Sequence, residues 1–192
     1  MATRREELAE AATDYALEHG LIGLSLRPLA EALGTSDRML LYHFQDKDDL
    51  VATILRQTAE RSVSGLGELP ASPDLHTAVL DLWKAVTTGP QERCQRLYVE
   101  AAALGFFGRE PYATVVRETN AHWVSAVSAH FCRVGLRKAA ARQATILVDA
   151  TFMGLQLDEP LDSRTQIRRT VNDLADAVVA RWGGEAGQSG RA

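Results

Sequence analysis

The stretch SLRPLAEALGTSDRMLLYHFQDKDDL, residues 25–50, decides how the rest of the chain is read. A short helix is expected from Ser25 to Leu33, with Pro28 in its first turn, where a missing N–H costs nothing. Gly34 ends it, because glycine enters the left-handed conformation that stops a helix without steric penalty. Ser36 is placed as the N-cap of a second short helix over 37–44. A longer helix follows from Asp46, carrying Leu50, Ile54 and Leu55. Ala30 precedes Gly34 by four residues, and Leu40 follows Ala30 by ten. A small residue at the first position lets two helices cross closely, and a large apolar one at the second fills the crossing. Leu26, Leu29, Leu33, Leu40 and Phe44 are the expected shared core. Such spacing describes a helix-turn-helix, whose second helix enters the DNA major groove. An ordinary corner between two helices has the same spacing.

Upstream, Thr3 and Glu6 form a capping box for a helix over 3–19. Leu8, Ala12, Tyr15 and Ala16 repeat along it at helical spacing, and Gly20 caps its end. With these features in place, residues 5–55 resemble the N-terminal DNA-binding domain of TetR-type transcriptional regulators. The resemblance rests on the first helix ending in His19-Gly20, the Leu-Ala-x-x-Leu-Gly-Thr-Ser turn, the Tyr-His-Phe end, and the entry to the next helix at Lys47 and Leu50. It implies an all-α protein of about nine helices. A helix-turn-helix domain is expected at 1–47, and a ligand-binding and dimerisation domain at 48–183. The Gly-rich segment 184–192 is expected to be a disordered tail.

The resemblance also implies roles where positions match. Arg27 sits where a base or phosphate is touched. Ser36, Asp37, Arg38 and Met39 open the reading helix, with Arg38 suited to bidentate recognition of guanine. Asp37 either accepts from a cytosine amino group or only favours the helix N-terminus. Tyr42 and His43 occupy the end that meets phosphate oxygens, and Lys47 matches a backbone-phosphate contact. One departure stands out. The family usually has Leu-Tyr where this chain has Leu40-Leu41, and the tyrosine comes one residue later, ~100° further around the helix. Leu41 then either meets a thymine methyl or packs.

Beyond residue 50 the pattern stays helical, with runs at about 74–87, 91–105, 111–134, 137–156 and 163–182. The stretch 64–73 reads as a loop from its Gly, Ser and Pro content. Residues 146–155 (ILVDATFMGL) are apolar nearly all round, so that helix needs cover on two sides. Ile167, Val171, Leu174 and Val178 form a stripe on the last helix. Together with Phe152 they are the expected homodimer interface. Trp83, Tyr98, Phe106, Phe107, Tyr112, Asn120, Trp123 and Met153 are candidates to line an apolar effector cavity. Asp149 is the sharper candidate, since an acid in an apolar helix is costly unless paired. A structural partner or a polar ligand atom would each satisfy it.

Composition narrows the functions. The 192 residues carry a net charge of −4, and 46% are hydrophobic, as in an ordinary globular protein. The first 50 residues hold five Lys or Arg and ten Asp or Glu. Any DNA binding must therefore come from a few placed cations and not from bulk attraction. Cys94 and Cys132 lie far apart and read as reduced, buried thiols of a cytoplasmic protein. No apolar run reaches ~18 residues, and the N-terminus has no secretory h-region. His122 and His130 are eight residues apart, which is not zinc-ligand spacing, and no metal or cofactor is expected. No G-x-S-x-G, P-loop or Glu-x-x-His pattern appears, which argues against an enzyme. The expected partners are a double-stranded DNA operator, a small-molecule effector and a second copy of the chain. A helical adaptor without DNA affinity is the alternative.

Overall fold

The computed structural model describes residues 3–186, and among these residues the secondary structure is entirely helical. Nine helices follow in order: α1 (Arg4–His19), α2 (Leu26–Ala32), α3 (Asp37–His43), α4 (Lys47–Gly67), α5 (Leu75–Val86), α6 (Gly89–Phe106), α7 (Tyr112–Arg133), α8 (Lys138–Asp158) and α9 (Arg164–Ala186). The chain divides into two compact units. The first takes residues 1–63 and 89–122, and the second 64–88 and 123–192. The N-terminal unit is therefore larger than a domain cut at residue 47, because α6 and the start of α7 pack into it.

Local chemistry sets the helix ends. At α1, Thr3 Oγ1 accepts from the Glu6 backbone N–H at 3.3 Å, and the Glu6 carboxylate accepts from the Thr3 N–H at 2.6 Å. Asp46 caps α4 by accepting from the Asp49 N–H at 2.8 Å, and Asp74 caps α5 through the Thr77 N–H at 2.7 Å. The segment 64–73 departs from expectation. Helix α4 continues through Gly65 to Gly67, held by Leu66, which is buried in the second unit's core. Only 68–74 are non-helical between α4 and α5. Likewise Gly183 and Gly184 belong to α9, which runs to Ala186 behind the buried Trp182. The rest of the expected tail, 187–192, lies outside the described residues.

In the first unit, Leu8, Ala12, Ala16, Leu29, Leu40, Phe44, Leu50, Ile54, Leu97, Ala101 and Val115 share one buried cluster, with Leu26 and Leu33 packed at its edge. The core read from residues 8–55 is thus present, extended by α6 and α7. In the second unit, α9 packs along α5 and α8. Its core takes Phe152, Ile167, Val171, Leu174 and Val178, all buried within one chain. These five are the residues expected at a dimer interface. Their stripe is the one that α9 and α8 need for their own packing, so it faces inward. What α8 leaves uncovered is a different, uncharged stripe of exposed residues: Ala139, Gln143, Ile146, Ala150, Gly154 and Leu157, with Leu147 beside it.

Candidate DNA-reading surface and effector site

The turn between α2 and α3 is built by two hydrogen bonds. The Thr35 N–H donates to the Ala30 carbonyl at 2.9 Å, and the Gly34 N–H donates to Glu31 at 3.1 Å. This 6→1 and 5→2 pair is a Schellman motif. Gly34 has φ +64°. A Cβ there would meet nothing within 4 Å, so the requirement for glycine is conformational and not one of space. Ser36 then caps α3 by accepting from the Met39 N–H at 3.3 Å. Ala30 and Leu40 are fully buried at the crossing. The opposite side of α3 is open: Ser36, Asp37, Arg38, Met39, Leu41 and Tyr42 are exposed, Tyr42 by 79%, and Arg27 is exposed on α2. His43 is half-buried, with its ring edge-on to Tyr42 at 5.2 Å.

A seven-residue helix is too short to hold itself, and three side chains from elsewhere pin this region. Arg5 of α1 donates to the His43 carbonyl at 3.1 Å, pairs with Asp49 at 3.2 Å, and lies 4.9 Å over the Phe44 ring. Lys47 donates through Nζ to the Leu24 carbonyl. Its ammonium, expected to face a phosphate, is thus already tied to the loop ahead of α2. The Glu100 carboxylate of α6 accepts from the N–H groups of Leu21 and Ile22 at 2.6 and 3.0 Å. Arg5 and Glu100 escaped the sequence reading, because their partners lie 38 to 79 positions away and no local pattern announces them.

The candidate effector residues are divided between the two units. Tyr98, Phe106, Phe107, Tyr112 and Asn120 fall in the first unit, and Trp83, Trp123, Asp149 and Met153 in the second. Phe106 and Phe107 are 85% and 78% exposed. The end of α6 explains this. Gly108, at φ +72°, and the bonds Gly108 N–H to Gly105 and Arg109 N–H to Leu104 close a second Schellman turn. Ala113 lies so close to Gly105 that a Cβ would sit 3.0 Å from its Cα. Both rings are left on the outside of that turn, edge to face at 5.4 Å. Tyr112 packs against the first unit's core, where burial raises its phenol pKa. In the second unit, Trp123 Nε1–H donates to Asp149 Oδ1 at 2.7 Å, and Trp83 meets Phe152 edge-on at 4.8 Å.

An exposed helix, set by a glycine turn on a partner helix that buries Leu29 and Ala30, has the geometry of a helix-turn-helix. Comparison with known proteins agrees. Residues 8–54 match the family "Bacterial regulatory proteins, tetR family". It is 30% identical over 105 residues to the HTH-type transcriptional repressor AcnR of Corynebacterium diphtheriae, a match covering 48% of this chain and 55% of that protein. The Corynebacterium glutamicum AcnR is 32% identical over 103 residues, covering 47% and 55%. The chain thus spans about half the length of these curated relatives. Among solved structures, a transcriptional regulator from Rhodococcus sp. Rha1 superposes with a TM-score of 0.70 at 22% identity, covering 94% of this chain and 98% of that one. The multidrug binding protein EbrR, complexed with proflavin, gives 0.66 at 22% identity over 90% and 99%. At these identities the likeness is one of fold. No helix among the described residues is long and apolar enough to cross a membrane.

Proposed function

We propose that the chain is a transcriptional repressor that binds a palindromic DNA operator as a homodimer and is released by a small molecule. The observation that carries this reading is α3 itself. A capped helix presents Arg38, Met39, Leu41 and Tyr42 to solvent while Leu40 anchors it from behind. Such a helix has the size and exposure to enter a major groove. Arg38 reads a base edge, and Arg27 meets the sugar-phosphate backbone. Lys47 positions the loop before α2 and adds charge beside it.

The homodimer is supported by the uncovered stripe on α8. Ile146 and Leu147 are 50% and 42% exposed on a helix whose other face is already buried. A helix apolar on both sides needs a second surface, and a two-fold pairing supplies the same stripe from the other copy. Val179 adds an exposed apolar residue on α9. An effector site in the second unit is supported by the half-buried Asp149, Trp123, Trp83 and Met153. EbrR, similar in fold, holds proflavin in its solved structure. Helices α4 and α7 each contribute residues to both units.

Selection from a random duplex library with the full chain tests the reading. The expected result is an inverted repeat with half-sites ~34–36 Å apart, matching two reading helices on one duplex face. Its affinity should fall steeply with salt, as counterions are released from contacted phosphates. Weak, salt-independent binding with no enriched sequence would instead mark a helical adaptor. Ile146→Glu should return a ~21 kDa particle in light scattering and lose the operator, because a stable pair buries ~1,200–2,000 Å² and a charge in that stripe prevents it.

A further inference from the structure

The second unit holds a carboxylate without a cation. Asp149 shares a face of α8 with Phe152 and Met153, three and four residues on. Its one hydrogen bond is the 2.7 Å contact from Trp123 Nε1–H. None of the ion pairs among the described residues includes it. Burial pushes its pKa above the ordinary carboxylate value, and the Trp123 hydrogen bond only partly opposes this. The Trp123 indole is bonded to Asp149 itself, and the Trp83 indole lies edge-on to Phe152, three residues further along α8. Asp149, Trp123, Trp83 and Met153 are all half-buried, neither sealed into the core nor free in water.

A structural role alone does not require this choice of residue. The Trp123 N–H needs one acceptor, and an amide oxygen would serve without the desolvation cost of a charge. A carboxylate offers about four acceptor sites, of which Trp123 uses one. Two carboxylates of the first unit are better occupied. Asp49 receives Arg5 and the Gln45 N–H, and Glu100 receives two backbone N–H groups.

We propose that the Asp149–Trp123–Trp83 cluster binds the ammonium end of a small organic cation, the carboxylate accepting its N–H and the indole rings lying against its apolar body. This rests on the effector reading above and gives that effector a chemical class. A cation brings the counter-charge that the chain withholds from Asp149. The bond formed is charge-assisted, and so roughly twice as strong as a neutral one. Indole faces attract the same charge through their quadrupole. Anionic ligands are rejected by the same carboxylate, and a neutral alcohol gains the hydrogen bond without the charge.

The probes are 2-phenylethylammonium chloride and 2-phenylethanol, which share a ring and differ in the charged end. The full chain, with 15N-labelled tryptophan, is titrated with each while the indole N–H resonances are followed. The ammonium should move the Trp123 resonance and bind at least tenfold tighter than the alcohol. Asp149→Asn keeps an acceptor for Trp123 and so the fold, checked by thermal melting, and should lose that tenfold advantage. Asp149→Glu, which retains the charge, should keep it. Equal affinity for the two probes, an ammonium site that survives Asp149→Asn, or no binding of either probe would overturn the proposal. Operator affinity, measured alongside, separates it from the reading beneath. An Asp149-dependent ammonium site that leaves operator binding untouched sinks the effector reading alone. Operator release by a neutral molecule, indifferent to Asp149→Asn, sinks the cation assignment alone.

Discussion

In the first unit, short helices are pinned by charged side chains that reach far along the sequence. In the second, long helices are held by apolar stripes. Arg5, Lys47 and Glu100 all end on backbone groups around α2 and α3. Further out, Arg56 pairs with Glu118, and Arg61 with Asp14. The second unit shows one described ion pair, His76 with Asp176. Its buried polar groups are instead paired without ion pairs: His130 with the Ala78 carbonyl and Arg133, and Ser128 with Thr145. The difference follows helix length. A seven-residue reading helix must stay exposed to be useful, so it buries only Leu40 and draws its rigidity from neighbours. A helix of twenty residues has a whole stripe to bury and needs no such clamps.

The largest expected effect tests whether that small core carries the first unit. Phe44→Ala removes a fully buried ring that also supports the Arg5 guanidinium. It should cost ~3–5 kcal/mol in urea denaturation, as for other buried aromatics. Next comes the α6 clamp. Glu100→Ala strands the N–H groups of Leu21 and Ile22, a cost of ~1–3 kcal/mol for a buried donor, while Glu100→Gln keeps an acceptor and should recover part of it. Gly20→Ala should reproduce the loss, because its Cβ would lie 2.8 Å from the Glu100 carboxylate at φ +83°. If both variants melt as the parent does, the clamp is ornamental and α6 is held by packing alone.

The reading surface should respond in binding and not in stability. Arg38→Ala should lose ~1–3 kcal/mol per half-site and relax preference at one base position. Lys47→Ala should weaken all sequences alike, flattening the salt slope by about one. It should also expose the amides near Leu24 to faster hydrogen exchange, since its Nζ holds that carbonyl. Equal phenotypes for the two would mean that reading and positioning have been mis-sorted.

His130 sharpens the comparison from the other side. Burial lowers its pKa, the Arg133 charge adds to this, and the Ala78 carbonyl and Asp81 oppose it. A neutral ring with Nε2–H donating to Ala78 leaves Nδ1 free to accept from Arg133. The folded pKa lies below the unfolded value of about 6.5, so the unfolded chain takes up a proton first. Stability should be complete above that value and decline as pH falls below it. Urea midpoints measured from pH 8 to 5 should show the decline, and His130→Gln should remove it. The smallest effect belongs to Phe106→Ala. An exposed ring should change stability by no more than ~0.5 kcal/mol, against the large loss at Phe44.

Much of the first unit was legible because its signals are local. Thr3 with Glu6, Gly34, and Ser36 each act within four residues of themselves, so a linear reading finds them. Leu29, Ala30, Leu40 and Phe44 follow from helical spacing around that turn. The second unit was legible only as helices. The stripe of Ile167, Val171, Leu174 and Val178 was recognised as apolar, and the structure buries it within the chain's own core. Periodicity tells that a face must be covered, not whether the cover comes from the same chain. The exposure of Phe106 and Phe107 was equally illegible, since aromatic character says nothing about which side of a turn a ring leaves.

The sequence by itself therefore determined the all-helical class, the family of the N-terminal segment and the residues that build its turn. Each of these rests on interactions between residues close along the chain. Tertiary structure alone decided that Lys47 and Arg5 hold carbonyls, that Glu100 grips a turn 79 positions away, and that Asp149 meets Trp123 and no cation. These depend on which helix faces which. That outcome is set by packing many weak contacts at once, and no short stretch of sequence encodes it.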